Sequence, residues 1–97
     1  MNHSLSTTVI IKAKDLGFTL DEVENQRTGM YQVVITKTGQ SMPLFSVFLM
    51  SGGLYHWDQN VTLPPFLVHR MANRFNGDQE FIEMLAMLAI DLITYEA

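Results

Sequence analysis

The chain has 97 residues, of which 47% are hydrophobic and 16% charged, and its formal net charge is −4. This length predicts one domain, residues 1–97, built around a single hydrophobic core. The absence of cysteine excludes disulfides, thiolate metal sites and thiol catalysis. The negative net charge argues against nucleic acid and anionic membranes as partners, because a negatively charged chain is not attracted electrostatically to either of them.

Two further features of the sequence bear on where the protein is located and on contact with membranes. No apolar run reaches the ~18 to 20 residues that a membrane span needs, and residues 1–8 lack the basic-then-apolar order of a secretory signal. We therefore expect a soluble, cytoplasmic protein without membrane contact, with a flexible tail over residues 1–4. The charged share lies below the ~25% of ordinary proteins, which predicts apolar surface that another protein chain covers.

The first predicted element is a helix over residues 5–16. Its apolar positions recur at helical spacing, and Gly17 follows where a helix end favours positive φ. The β-branched run at 7–11 would also suit a strand. We favour the helix because the charged residues of the segment fall outside the apolar face. That face consists of Leu5, Val9, Ala13 and Leu16.

Residues 18–25 fit two structures. Thr19 and Glu22 have the spacing of a capping box, which predicts a short helix. Phe18 and Leu20 alternate with polar residues, which predicts a strand that turns through residues 25–29 into Met30. We favour the strand.

Residues 13–23, AKDLGFTLDEV, resemble a short stretch of the MerR-type transcription regulators, where it follows the DNA-reading winged helix-turn-helix. The resemblance covers about a tenth of the chain. Only about a dozen residues precede the stretch, too few for that module, and it is anionic where phosphate contacts need cations. It therefore implies no family for this chain.

A hairpin is predicted from Met30 to Trp57. Its first strand alternates between apolar and polar residues, which is typical of a half-buried strand. The second strand, Met42 to Met50, is apolar on both faces, so we expect it to be central and covered on both sides. One of its faces carries Met42, Leu44, Phe48 and Met50, and the other carries Phe45, Val47 and Leu49.

Two helices are predicted in the C-terminal third. The first begins at Pro64-Pro65 and ends before Asn76-Gly77, and Asp78 can cap the second, Gln79 to about Glu96. The second helix has an apolar arc far wider than the ~100° of an ordinary surface helix, interrupted by a narrow polar stripe. The stripe contains Glu80, Glu83, Asp91 and Thr94, with Met87 among them. The predicted fold is α+β: an N-terminal helix, an antiparallel meander of three to four strands, and two C-terminal helices packed on the sheet.

Candidate chemical sites are weak. His56, Asp58 and His69 could hold zinc or transfer protons, but their spacing matches no metal-ligand pattern, and an aromatic cluster around Trp57 explains them. The segment Ser51-Gly52-Gly53 lacks the pattern of a nucleophile elbow or a phosphate loop and predicts a turn. We therefore expect no catalytic residue, no metal and no cofactor.

The constellation most suggestive of binding lies on the polar face of the first C-terminal helix. An aromatic side chain among arginines is typical of protein interface hot spots, and single-stranded nucleic acid is bound by a similar mixture. The alternative is that the aromatic ring folds back onto the core. The predicted partner-binding residues are Phe66, His69, Arg70, Asn73 and Arg74, together with Met87 and Ile90 at the margin of the apolar arc of the last helix.

These patterns predict a small noncatalytic protein-binding module that docks on a larger protein and inhibits or adapts it. Phage- or plasmid-type inhibitors of host complexes have this size and acidity. One alternative is a dimeric secretion chaperone, since the element order is loosely similar to the type III secretion class, although its usual further strand pair is missing. Another is a small ligand-binding or enzymatic domain with a pocket near Trp57. The expected partner is another protein chain, as a homodimer, a larger complex or both.

Overall fold

The computed structural model describes residues 5–25, 30–50 and 52–96. The described residues form three helices and five strands. In chain order they are α1 (Thr7–Asp15), β1 (Phe18–Asn25), β2 (Met30–Lys37), β3 (Phe45–Met50), β4 (Leu54–Asn60), α2 (Pro65–Val68), β5 (Arg74–Asn76) and α3 (Asp78–Glu96). The predicted tail at 1–4, the turn at 26–29 and Ser51 lie outside the described residues.

The strands form one antiparallel sheet whose spatial order, β1-β2-β3-β4-β5, is also their order in the chain. The predicted α+β class is confirmed. The prediction of three to four strands is wrong by at least one, because β5 joins the sheet beside β4. Residues 18–25 form the strand that the alternation of Phe18 and Leu20 predicts, in register with β2 from Phe18 opposite Lys37 to Asn25 opposite Met30.

Helix α1 begins and ends with the local signals expected of it. The Ser6 hydroxyl accepts a hydrogen bond of 3.2 Å from the Val9 backbone N–H at the N-terminus. Lys12 and Lys14 lie in the last turn, where positive charge stabilises the helix dipole. Gly17 follows with φ of 93°, a conformation that an L side chain rarely adopts.

One face of the sheet carries the core. Side chains directly opposite one another across the strand pairs share this face, and buried residues of the helices complete the core with them. Phe81 of α3 stacks on Tyr55 with ring centroids 4.2 Å apart and meets Phe75 edge-on at 6.0 Å. The buried strand residues of this face are Phe18, Val33, Ile35, Phe45, Val47, Leu49, Tyr55 and Phe75.

The opposite face of the sheet is less covered than expected. Phe48 and Met50 of β3 are only half-buried, so the prediction that both faces of this strand are covered holds in full for one face and in part for the other. The predicted central place of the strand in the sheet is confirmed. The strand also begins at Phe45 rather than Met42, whose side chain is 56% exposed in the connection before it. Ser46 is the residue of this face that is fully buried, because it lies inside a polar cluster with Gln32 and Asp58.

The helix predicted from Pro64-Pro65 to Asn76 is wrong over most of its length. Only Pro65–Val68 is helical, and the chain then turns into β5. Phe75, assigned by its spacing to a helix face, instead pairs with Tyr55 across the β4–β5 ladder. A tertiary contact therefore overrides the helical periodicity of residues 67–75.

Helix α3 spans Asp78–Glu96, close to its predicted bounds. Leu85, Leu88 and Leu92 are buried against the sheet and its neighbouring elements. Met87 is exposed as expected, but Ile90 and Ile93, which belong to the predicted apolar arc, are exposed too. Among the described residues, no helix has the length and hydropathy to cross a membrane.

Candidate functional site

One concave feature among the described residues is an open groove between residues 67–75 and α3, which we call the α3 groove. It encloses about 260 Å³. Its floor and walls are mainly apolar, with charged side chains along both rims. The lining residues are Leu67, Arg70, Met71, Ala72, Arg74, Phe75, Glu80, Glu83, Met84, Met87, Leu88 and Asp91.

The groove exists because the chain leaves its helix early and returns to the sheet. Helix α2 ends at Val68, and the Met71 N–H donates to the Val68 carbonyl at 3.0 Å as the chain turns. The Trp57 N–H then donates to the Asn73 carbonyl at 2.8 Å, which ties the segment to β4. Residues 69–73 therefore form a separate wall beside α3.

The two rims of the groove carry opposite charge. Arg70 and Arg74 lie on the wall formed by residues 67–75, and the carboxylates lie on α3. Arg70 Nη1 and Asp91 Oδ1 are 3.3 Å apart, so one ion pair spans the groove. Arg74 is exposed and forms no ion pair with another described residue.

The structure brings together some of the predicted partner-binding residues. Arg70, Arg74 and Met87 line the α3 groove. Arg70 and Arg74 do not share a helix face as predicted, since α2 ends at Val68 and Arg74 lies in β5. His69, Asn73 and Phe66 are exposed but lie outside the groove lining, and Ile90 lies on the outward side of α3.

Sequence reasoning missed the apolar floor of the groove. The helical spacing places Met71 and Phe75 on the core side of a helix, and it places Met84 and Leu88 in the apolar arc of α3. The signal that points to a floor is the abundance of methionine, because a flexible thioether side chain suits an adaptable binding surface. Met71, Met84 and Met87 all line the groove.

The alternative site around Trp57 is held together by structural contacts. Trp57 stacks on Phe45 with ring centroids 5.2 Å apart. Asp58 accepts hydrogen bonds from the Ser46 hydroxyl at 2.8 Å and from Gln32 Nε2 at 2.7 Å. Within the described ranges, no three histidine or carboxylate side chains are grouped so that they could hold a metal ion. The carboxylate of Asp58 therefore has a structural role in the sheet.

Two tyrosines have perturbed acidity, and neither lines the groove. Burial raises the pKa of Tyr55, and the hydrogen bond to Asp78 and the charges of Asp78 and Glu22 raise it further. Desolvation and the nearby carboxylates of Glu24 and Glu22 raise the pKa of Tyr31. Both phenols therefore stay protonated at neutral pH and serve as hydrogen-bonding or packing groups.

Comparison of the chain with protein-family models, with curated proteins and with solved structures gave no match. The function is accordingly inferred from the geometry and charge of the described residues.

Proposed function

We propose that this protein is a noncatalytic protein-binding module that docks on a larger protein through the α3 groove and thereby inhibits or adapts it. The observation that carries the proposal is the combination of an apolar, methionine-rich floor with an exposed arginine, Arg74, on the rim. Buried anchors beside arginine are what interface hot spots use.

The α3 groove has a volume of about 260 Å³ and a lining that is mainly apolar. A cavity of this size suits one or two apolar side chains presented by a partner. The floor of the α3 groove, formed by Phe75, Met84 and Leu88, would bury such an anchor. The flexible side chains of Met71 and Met87 would change conformation to fit around it.

The charges on the rim define the partner further. Arg70 is already paired with Asp91, whereas Arg74 has no ion-pair partner in the described part of the chain. A carboxylate beside the apolar anchor of the partner would pair with Arg74. We therefore propose that the docked segment carries a large apolar residue next to an acidic one.

The test compares partner capture by matched charge reversals. The chain and its variants are immobilised at equal density and exposed to lysate of the native cell, and retained proteins are identified by mass spectrometry. Arg74→Glu is expected to retain at least tenfold less of the partner than the wild type does, because the substitution reverses the charge on the rim. Lys14→Glu, an equal charge reversal at an exposed position of α1, is expected to retain it.

A photo-crosslinking residue at Met71 locates the contact directly, because that side chain lines the groove. The captured partner should be crosslinked from position 71 and not from position 14. Equal capture by the Arg74→Glu and Lys14→Glu variants, without a crosslink from position 71, would show that the partner docks elsewhere. Turnover of a substrate by the purified chain would overturn the noncatalytic assignment.

A further inference from the structure

A second surface lies on the outward side of α3, beside the groove. It consists of Glu83, Met87, Ile90 and Thr94, flanked by Ala86 and Ile93, and we call it the α3 ridge; Glu83 and Met87 also line the edge of the groove. The side chains of Met87, Ile90 and Ile93 are 59%, 65% and 68% exposed. Three large apolar side chains in a row on one helix form a contiguous patch, and such patches mark interaction surfaces.

The ridge residues have the spacing of positions along which two helices pair, and we call this line of positions the seam. The positions 83, 87, 90 and 94 are separated by four, three and four residues, as the two apolar positions of a heptad repeat are. Leu85 and Leu92, which lie on the opposite side of the helix from the seam, are buried in the domain. Helix α3 therefore has one side for its own core and another for a second helix.

The four–three–four spacing is the same when it is read in either direction. Two copies of the ridge can therefore pair antiparallel around a two-fold axis between positions 87 and 90. In that arrangement Met87 of one copy meets Ile90 of the other, and Ala86 meets Ile93 on the flank. A two-fold interface requires this kind of self-complementary surface.

The charge on the ridge selects the antiparallel orientation. Glu83 is the charged member of the four seam positions. In an antiparallel pair it faces Thr94 of the other copy, whereas in a parallel pair the two Glu83 carboxylates face each other. Antiparallel pairing also aligns the two helix dipoles favourably.

The sheet edges are less suited to symmetric pairing. Strand β1 forms one edge, and its exposed Asp21, Glu22 and Glu24 would meet the same carboxylates of a second copy. Like charges opposite one another across strands are destabilising. The other edge, β5, is only three residues long. Pairing through the ridge avoids the repulsion that pairing through the β1 edge would cause.

We propose that two copies of this chain associate through their α3 ridges in an antiparallel pair. The proposal goes beyond the docking function of the groove and names a second copy as an additional partner. The seam spans about 17 Å of helix at 1.5 Å per residue, so its area falls short of the ~800 Å² per partner of a standard interface. The dimer should accordingly be reversible and depend on concentration.

Sedimentation equilibrium from about 1 to 200 μM measures the pairing. The wild type is expected to shift from monomer to dimer over this range. Ile90→Glu places a carboxylate in the seam and should weaken the dimer at least tenfold while far-UV circular dichroism stays unchanged. Met42→Glu introduces the same charge at a comparably exposed position outside α3 and should dimerise like the wild type.

A charge-swap variant tests the orientation. The single variant Met87→Lys should also weaken the dimer, but the double variant Met87→Lys/Ile90→Glu should recover it. In an antiparallel pair the introduced ammonium at position 87 of one copy lies against the introduced carboxylate at position 90 of the other. Parallel pairing would place like charges together and leave the double variant monomeric, which would overturn the proposed arrangement.

Two further outcomes would overturn the pairing itself. These are a wild type that is monomeric at the top of the concentration range, and an Ile90→Glu variant that dimerises like the wild type. The groove proposal stands or falls separately, since Ile90 does not line the groove. An Ile90→Glu variant that is monomeric but captures the groove partner would support both proposals independently.

Discussion

The hydroxyl of Tyr55 donates a hydrogen bond of 2.7 Å to Oδ1 of Asp78, the first residue of α3. The other carboxylate oxygen of Asp78 accepts from the Ser6 hydroxyl at 3.3 Å. One carboxylate thus joins the beginning of β4, the start of α3 and the N-terminal cap of α1. The phenol is nearly inaccessible to solvent, so its hydrogen-bonding requirement is met inside the protein.

Replacement Tyr55→Phe should destabilise the fold by about 1 to 2 kcal/mol, because it removes a hydrogen bond to a charged acceptor while it keeps the packed ring. Urea denaturation followed by circular dichroism measures the loss. A double-mutant cycle with Asp78→Asn should show coupling between the two positions. Additive losses in that cycle would mean that the hydrogen bond contributes nothing measurable.

Stability should fall above the ordinary tyrosine pKa of about 10. The folded state raises the pKa of Tyr55, so the unfolded chain releases the phenolic proton at a lower pH than the folded chain does. The unfolded state then binds fewer protons than the folded state, and the free energy of unfolding declines as the pH rises. Below about pH 10 both states are protonated, and this contribution is fully present.

Urea midpoints at about pH 8 and about pH 11, on either side of the ordinary tyrosine pKa, test this pH dependence. The urea midpoint of the wild type should decrease from the lower to the higher pH, and the midpoint of Tyr55→Phe should decrease by less. Some decline should persist in the variant, because the pKa of Tyr31 is raised as well. An identical decline in both proteins would contradict the assignment to Tyr55.

Two phenylalanines of β3 provide a matched test of the one-sided core. Phe45 is completely buried beneath the helices, whereas Phe48 is half-buried on the opposite face. Phe45→Ala should cost about 3 to 5 kcal/mol, the usual range for a buried aromatic side chain. Phe48→Ala should cost about 1 to 2 kcal/mol, since less of its area leaves water. Equal losses in thermal or urea denaturation would indicate that the second face is covered in solution.

The polar cluster on that second face should also be measurable. Asp58→Ala removes the acceptor of the Ser46 hydroxyl, which is buried, and of Gln32. We expect a loss of about 1 to 3 kcal/mol, because the proton of the buried Ser46 hydroxyl loses its acceptor. The double variant Asp58→Ala/Ser46→Ala should regain part of this loss, and a further loss would contradict the role of the pairing.

Local signals in the sequence were sufficient for the elements that depend on neighbouring residues. The spacing of Val9 and Ala13 and the position of Gly17 predict α1, and the structure has the helix there. At residues 18–25 the alternation of Phe18 and Leu20 is decisive, although Thr19 and Glu22 have the spacing of a helix cap. Pairing with β2 along the whole strand outweighs the cap.

Contacts between distant residues explain what the sequence did not predict. The spacing of Leu67, Met71 and Phe75 fits a helix, but the free side of β4 binds residues 74–76 as a fifth strand. The α3 groove forms because residues 74–76 are a strand and not the end of a helix, so its floor could not be identified from a helix pattern. The register shift between Ser46 and Val47, which places Asp58 against Ser46, likewise depends on the assembled sheet.

The agreement between strand order and chain order has a consequence for synthesis of the protein. Each strand that emerges from the ribosome can pair at once with the one made just before it, which avoids slow closure of long loops. The helix that covers Tyr55 and Phe75 is made last among the described elements. Until then the part of the nascent sheet that α3 will cover is open to water, and chaperones that bind exposed hydrophobic segments should engage it during that interval.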